Sequence, residues 1–580
     1  MSAEPTSHNG VNSSTILPGW ARELPDITTG KDGRISIGEY GVGFQNRSQP
    51  IFYPLPLLRH VFTEKALSIE INALGRLEDT EAVVRQVLGK DCAGSKTYLQ
   101  IFALLKVIDL PDRLPHFIHE DVSDQELPLV SDKREGTQIL YRKSGESLSD
   151  NLLQTYAEII AFETQQYSMI VHSFGKQTQP YDLAWDHVPP YYTINPPNAS
   201  EECLQLSGSS GSVARIIIHP LCHEFHGAFD CQNEEMFFAL KKYRHTDTEG
   251  FQREVKMLRK FKEINHPHIV VLLDAYTWRH EKYLIFPWAT HDLNSYWARS
   301  NPTPDASSVQ LVQWICKQSW QLSDAVSHIH NLDEENKTSQ EEHRYERHGD
   351  LKPENILWYK SREGFGNLVI ADMGLRKTPR FEGRTYIQDK AIAMRRYRPP
   401  EAEYADGLID QTVDIWALGC TFLEFLIWLH RGRNLLEEVE QETTTRSIRG
   451  YGTTEYFEWV RMQGAEQGAE QYAIRVKSAV TDYIDNIRQD CSQFAYDFLG
   501  IIRNRMLVVE RDDRISAKEL AEEMKILNEK CTEGTAYCVQ KETRQARDSP
   551  NPKLKRRQFH KDLPTAGKGS IPQVPPSDFI

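Results

Sequence analysis

The chain has 580 residues and a mass of 66.9 kDa, which excludes a small single-core module and leaves room for several domains. A formal net charge of −14 excludes a global positive field that would hold nucleic acid or an anionic membrane, so neither partner is expected and recognition must be local. The nine cysteines are scattered with no C-x-x-C, which fits reduced thiols rather than a disulfide framework, and the first thirty residues lack a basic start and apolar core, so no secretory signal is expected and the chain is expected to be intracellular, cytoplasmic or nuclear.

In chain order, residues 1–35 are rich in Ser, Thr, Gly and Asn without apolar periodicity and read as a disordered lead-in. Residues 36–175 read as a mainly helical module of unknown function and partner, because VFTEKALSIEINALG and EAVVRQVLG repeat their apolar residues at helical spacing. Residues 176–202, with Pro180, Pro189-Pro190 and Pro196-Pro197, read as a linker. From 203 to 530 the pattern is that of a two-lobed α+β enzyme, and 531–580 is a Pro-rich tail with a basic cluster at Lys553–Arg557, expected to be disordered. That cluster is weighed as a nuclear import signal against a plain solvated tail. The most apolar run, Ile415 to Leu429, is interrupted by Glu424 and falls short of the ~20 residues of a bilayer span, so no transmembrane helix is expected.

The chemistry is concentrated in His348-Gly349-Asp350-Leu351-Lys352-Pro353-Glu354-Asn355, followed by the apolar strand LVIA and Asp372-Met373-Gly374. Phosphoryl transfer needs such a set. Asp350 can accept the proton of a substrate hydroxyl, Asn355 and Asp372 can hold Mg²⁺, and Lys352 can neutralise the moving phosphoryl group.

With those residues in place, the region 203–530 resembles a eukaryotic protein kinase, because further signature pieces occur in the family's order. The resemblance implies a β-rich N-lobe and a helical C-lobe. It implies that Lys241 in Phe238-Ala239-Leu240-Lys241 contacts ATP, with Glu254 in the following helix as its partner. Pro399-Pro400-Glu401 matches the end of the activation segment, Asp414 to Gly419 the buried central helix, and Arg514 the partner of Glu401. For the nucleotide it implies Gly208 and Gly211 over the phosphates and Val213, Ala239 and Leu357 around the adenine. It further implies Phe286 as gatekeeper, with the Pro287 carbonyl and the Ala289 amide as hinge contacts. Leu258, Leu272, Met373 and His348 would form the stack that links the lobes. HGDLKPENILW and LIFPWA are similar to a kinase-like group of filamentous fungi with an N-terminal extension. The implied function is an ATP- and Mg²⁺-dependent Ser/Thr kinase acting on a protein substrate, with Lys352 two residues after Asp350 implying Ser/Thr over Tyr. The alternative is a nucleotide-binding pseudokinase that serves as a signalling scaffold.

Four positions depart from the family pattern. Leu206 stands where the first glycine of the phosphate loop belongs, Gly349 replaces the Arg before Asp350, Met373 replaces Phe, and Met394 replaces a Thr of the activation segment. Losing that Arg removes a regulatory contact to a phosphorylated segment, while a thioether can fill the slot of the Phe ring. Elsewhere, His219, Cys222, His223, His226 and Cys231 match no usual zinc spacing, and HEFH is not H-E-x-x-H, so a solvated hairpin insertion is expected there. The charged run from Asp333 to Arg347 is expected to be a solvated loop.

Overall fold

The computed structural model describes residues 34–40, 556–557 and 51–544, the last without 76–78, 91–95, 135–136, 176–178, 186, 188, 194–205, 208–210, 226–236, 245–246, 332–346, 362–363, 373–395, 404–409, 447–451 and 462–471. The chain divides into two units. The first holds 1–246 and 273–287, and the second holds 247–272 and 288–580.

The first unit is a seven-stranded sheet built onto a group of helices. Its path runs Tyr181–Asp182, Asp274–Trp278, Glu281–Pro287, Phe238–Tyr243, Gly211–Ile218, Tyr191–Thr193, with Leu206–Ser207 also pairing Gly211–Ile218. Only the Tyr181–Asp182 pairing is parallel. The helices Leu55–Val61, Glu64–Asn72, Thr80–Val87, Leu99–Val107, Leu114–His119 and Tyr156–Gln165 precede it, together with a hairpin of Val130–Arg134 and Thr137–Tyr141. Thr63, Asp79 and Thr155 cap three of these helices by accepting a backbone N–H three residues on, which satisfies donors that the first helical turn leaves open.

One apolar core joins helices and sheet, and it runs from Ile35 through Phe102, Phe162 and Phe174 to Tyr276 and Ile285. This corrects two expectations. Ile35, placed in the disordered lead-in, is 2% exposed, and its amide donates to the buried Glu70 carboxylate at 2.6 Å. The segment 176–202, read as a linker, supplies strands at both ends of the sheet. Proline lacks an N–H but costs little at a sheet edge, so a Pro-rich stretch is compatible with an edge strand. Tyr181 and Tyr191 decide the outcome by entering the aromatic core: Tyr181 and Phe174 lie 6.3 and 5.4 Å from the Tyr276 ring, and Tyr276 donates to the Tyr191 hydroxyl at 3.2 Å.

The expected hairpin insertion differs as well. Its described part forms the short turn Pro220–Cys222 with His219, Cys222, His223 and Phe225 buried, whereas His226 and Cys231 lie outside the described residues. The Nδ1 atoms of His219 and His223 accept backbone N–H groups two residues on, so these nitrogens have a local structural use.

The second unit is mainly helical. Thr248–Ile264 opens it, a three-stranded sheet of His291–Asp292, Ile356–Tyr359 and Asn367–Ile370 follows in space, and Val309–Asn331 packs on Ala517–Glu533. The helix Thr412–Thr443, non-helical at Gly432, carries Trp416 and Trp428, two of the largest fully buried side chains of the unit. Its part Thr412–Asn434 is long and apolar enough to cross a membrane by length and composition, beyond the short run read from the sequence, and its most apolar window is 94% buried in the protein.

The tail expectation is corrected up to residue 544. Ala517–Glu533 runs past the expected domain end at 530, Thr535–Val539 is helical, and Lys541–Thr543 pairs with Asp490–Ser492, with Cys531 and Cys538 buried as anchors. Arg556–Arg557, from the basic cluster, pairs with Tyr472–Ala473; the rest of 545–580 lies outside the described residues, as do residues 1–33. Most of the charged run before His348 is likewise outside them, but its last residue, Arg347, is only 6% exposed rather than solvated.

Because Phe174, Tyr181 and Tyr191 belong to the same core as the sheet, a chain starting at residue 203 should lose cooperative folding. Thermal melts of that fragment beside the full chain test this, and a fragment that melts as sharply and as high as the whole would overturn the shared core.

Candidate active site

The loop around Asp350 belongs to the second unit and is set by one buried carboxylate. Asp414, in the first turn of the Thr412–Thr443 helix and 1% exposed, accepts the His348 amide at 2.8 Å and the His330 Nε2–H at 2.9 Å on Oδ2. Its Oδ1 accepts the Gly349 amide at 2.8 Å. Burial alone would raise the Asp414 pKa. The hydrogen bond and charge of His330, then His348 and the Gly349 amide, outweigh burial and hold it below the usual carboxylate value. Gly349 has φ 75°, a left-handed conformation that a glycine adopts without the cost of a Cβ, so the turn suits the residue that replaces Arg.

His348 is fully buried and links the loop to the following strand. Its Nδ1 accepts the Asp350 amide at 3.2 Å, which leaves the proton on Nε2, and Nε2 donates to the Ala371 carbonyl at 3.0 Å. Asp350 is thus placed by backbone on both sides. Asn355 donates Nδ2–H to the Asp350 carbonyl at 2.8 Å and to its Oδ2 at 3.1 Å, and Lys352 Nζ stands 3.6 Å from the same oxygen. Asp350, Lys352 and Asn355 thus come together as the sequence spacing implied.

Asn355 and Asp372 are tied through the backbone, because the Ala371 amide donates to the Asn355 carbonyl at 2.9 Å. Asp372 has φ 54°, an uncommon conformation for a non-glycine residue that Asp and Asn tolerate best. With both Nδ2 hydrogens of Asn355 directed at Asp350, Oδ1 is the amide's remaining donor atom for a cation. An amide oxygen and a carboxylate form the hard oxygen set that suits Mg²⁺. Met373 and Met394 lie outside the described residues, as do Thr378, Thr385 and Tyr386.

Ala289, Leu357, Glu254, Leu258 and Leu272 also fall in the second unit. Leu357 pairs with Asp292, Ala289 is half-buried after the Glu281–Pro287 strand, and Glu254, Leu258 and Leu272 are buried. The first unit holds Gly211, Val213, Ala239, Lys241, Phe286 and Pro287. There Val213 pairs with Lys241 and Ala239 with Phe286, and Lys241 is 8% exposed with Nζ 5.2 Å from the Tyr243 ring centre. Gly208 lies outside the described residues. A Cβ on Gly211 would come within 2.0 Å of the Lys242 carbonyl oxygen, so the neighbouring strand demands glycine there.

Two buried charge pairs support the segment after the loop. Arg514 meets Glu401 with two hydrogen bonds, at 2.7 and 3.0 Å, as the resemblance implied. The other was not foreseen: Glu424 accepts from Arg396 Nε at 2.6 Å, Tyr456 at 2.7 Å and Tyr397 at 2.8 Å. Glu424 entered the sequence reading only as an interruption of an apolar run, and a charge inside such a run is the signal that marks it. The clamp role of Asp414 and its His330 contact were missed too.

A protein kinase domain model matches residues 227–524, just over half of the chain. Human Cyclin-dependent kinase-like 4 is 30% identical over 204 residues, covering 34% of this chain and 47% of that protein. The mouse protein of that name is 28% identical over 204 residues, covering 34% and 52%, and rat Cyclin-dependent kinase-like 2 is 28% identical over 207 residues, covering 34% and 35%. The chain thus spans about half the length, or less, of these curated relatives.

Asp414→Asn should lower the melting temperature, since an amide NH₂ facing backbone N–H groups leaves buried donors unpaired, at about 1–3 kcal/mol. The Asp414 pKa is depressed on folding, so its stabilisation is present above the unfolded carboxylate value near ~4 and is lost as pH falls through the lower folded value. Between those two values the loss of stability with falling pH should therefore be less steep for the variant; equal slopes would assign the acid sensitivity to other groups.

Proposed function

The chain belongs to the protein kinase family, and from that premise we propose that it transfers the γ-phosphoryl group of ATP to serine or threonine hydroxyls of a protein substrate. The observation that carries this reading is the Asp350 carboxylate, held by Asn355 at 3.1 Å and faced by Lys352 at 3.6 Å on a loop clamped to Asp414. In the proposed reaction the substrate oxygen attacks the γ-phosphorus and its proton passes to Asp350. The bond from that phosphorus to the β–γ bridging oxygen breaks, and ADP leaves with the electron pair. Lys352 neutralises charge on the moving group. Asn355 and Asp372 would hold a divalent ion, Mg²⁺ in this reading, which when bound offsets phosphate charge. Val213, Ala239, Phe286, Pro287, Ala289 and Leu357 are assigned to the adenine, Gly208, Gly211 and Lys241 to the phosphates, and Glu254 to supporting Lys241, all by family resemblance.

The second reading, a nucleotide-binding pseudokinase acting as a scaffold, is favoured by Leu206 and by Gly211, whose glycine is already required by the Lys242 carbonyl rather than by a nucleotide. Purified chain with labelled ATP, Mg²⁺ and a basic protein acceptor separates the two. Transfer that Lys241→Met abolishes without unfolding supports the enzyme, whereas nucleotide binding without transfer supports the scaffold. Asp372→Asn should weaken metal-dependent nucleotide binding. Asp350→Asn should leave binding intact and slow turnover by about 10²–10⁴-fold, and identical binding losses in both variants would sink the division of roles.

Activity is further proposed to be independent of phosphorylation between Leu375 and Tyr397. Gly349 removes the usual phosphate anchor, and Arg396, a nearby cation that could replace it, is already engaged by Glu424. Phosphatase-treated enzyme and a Thr378→Ala, Thr385→Ala, Tyr386→Phe variant should turn over like the untreated chain. A large loss in both, restored by rephosphorylation in the first, would overturn this.

A further inference from the structure

The second unit holds a cluster of metal-binding side chains that the phosphoryl-transfer reading does not use. His266 follows the Thr248–Ile264 helix, and Asp324 and His328 lie one helical turn apart on Val309–Asn331. One ligand atom from each lies within 4.8 Å of the other two. His266 Nε2 is 3.1 Å and His328 Nδ1 3.9 Å from Asp324 Oδ2, and the two imidazole ring centres are 5.1 Å apart.

Tetrahedral zinc with bonds of about 2.0–2.1 Å to nitrogen and oxygen sets its ligands roughly 3.3–3.5 Å apart, close to the 3.1 Å that separates His266 Nε2 from Asp324 Oδ2. The protein already orients parts of the set. His328 Nδ1–H donates to the Asp324 carbonyl at 2.9 Å, which leaves the lone pair on Nε2 and mimics the backbone contact that commonly orients metal-bound histidine. One cost opposes binding: His266 Nδ1 accepts the His268 amide at 3.1 Å, so its Nε2 carries the proton. A metal on Nε2 would shift that proton to Nδ1 and give up this contact, a loss of one hydrogen bond against three coordinate bonds. His328 is 45% exposed on its side chain, so its ring can adjust.

We propose that His266, Asp324 and His328 form a binding site for zinc or a similar borderline divalent ion, with water completing the coordination. Two imidazoles and one carboxylate favour Zn²⁺ over Mg²⁺, whose preference for oxygen directs it to Asn355 and Asp372 instead. Bound there, the ion ties the turn after Thr248–Ile264 to Val309–Asn331 within the unit.

The test is calorimetric titration of the chelator-stripped full chain with zinc sulfate in excess Mg²⁺, beside His328→Gln, Asp324→Asn and His266→Ala. One equivalent should bind the parent chain in the micromolar range and raise its melting temperature, and each variant should bind at least about tenfold more weakly. His328→Gln, at an exposed position, keeps the test valid if the others fold poorly. No zinc uptake by the parent, or uptake unchanged in folded His328→Gln, would overturn the site. Cobalt substitution giving tetrahedral visible bands that vanish in His328→Gln would support it.

Discussion

The candidate active site depends on Asp414. A carboxylate sealed in a helical core is costly unless its oxygens are matched by donors, and here two consecutive loop amides and one imidazole supply them. The match works in both directions: the carboxylate is stabilised as an anion, and the loop backbone at His348 and Gly349 has one low-energy position. Asp350, the next residue, inherits that position, and the bonds from His348 to Asp350 and to the Ala371 carbonyl extend it to the strand end that carries Asp372. Asp350 and Asp372 are thereby positioned by backbone rather than by long side chains.

The second unit repeats this use of buried charge where the chain returns to the core. Arg514 bonds both oxygens of Glu401 and also the Thr412 carbonyl, so the segment at Pro400, the start of the central helix and the loop at Val508 share one guanidinium. Glu424 does the same for Arg396, Tyr397 and Tyr456. Satisfied polar networks of this kind specify one arrangement more sharply than apolar packing, because a shift of any member leaves a buried group unpaired.

In the first unit the organising contact is aromatic. Phe174, Tyr181, Tyr191 and Tyr276 bring the chain before residue 203 into the sheet core, and Tyr181 donates to Asp274 at 3.2 Å. The N-terminal helices are a part of this unit's core, not an appendage on a tether. The family match begins at residue 227, after the strands Tyr191–Thr193 and Gly211–Ile218, so this chain builds its sheet with residues from outside the matched region.

The sequence by itself determined the local grouping of the candidate site's side chains and the order of its parts. His348 to Asn355 is a single short loop, and spacing within so few residues survives any tertiary arrangement, so Asp350, Lys352 and Asn355 had to be neighbours. The Glu401–Arg514 pair was legible only through family resemblance, since 113 residues separate its members. Tertiary structure alone decided that Asp414 anchors the loop from 65 and 66 residues away, that His330 joins it, and that Pro189-Pro190 leads into an edge strand. Local composition reports whether a segment is apolar enough to order itself, and the stretch 176–202 is not. The order of its described strands comes from a few aromatic side chains entering a core assembled elsewhere in the chain. The same limit hid His266 beside Asp324 and His328: residues 58 positions apart become ligands of one site only when a turn and a helix pack together.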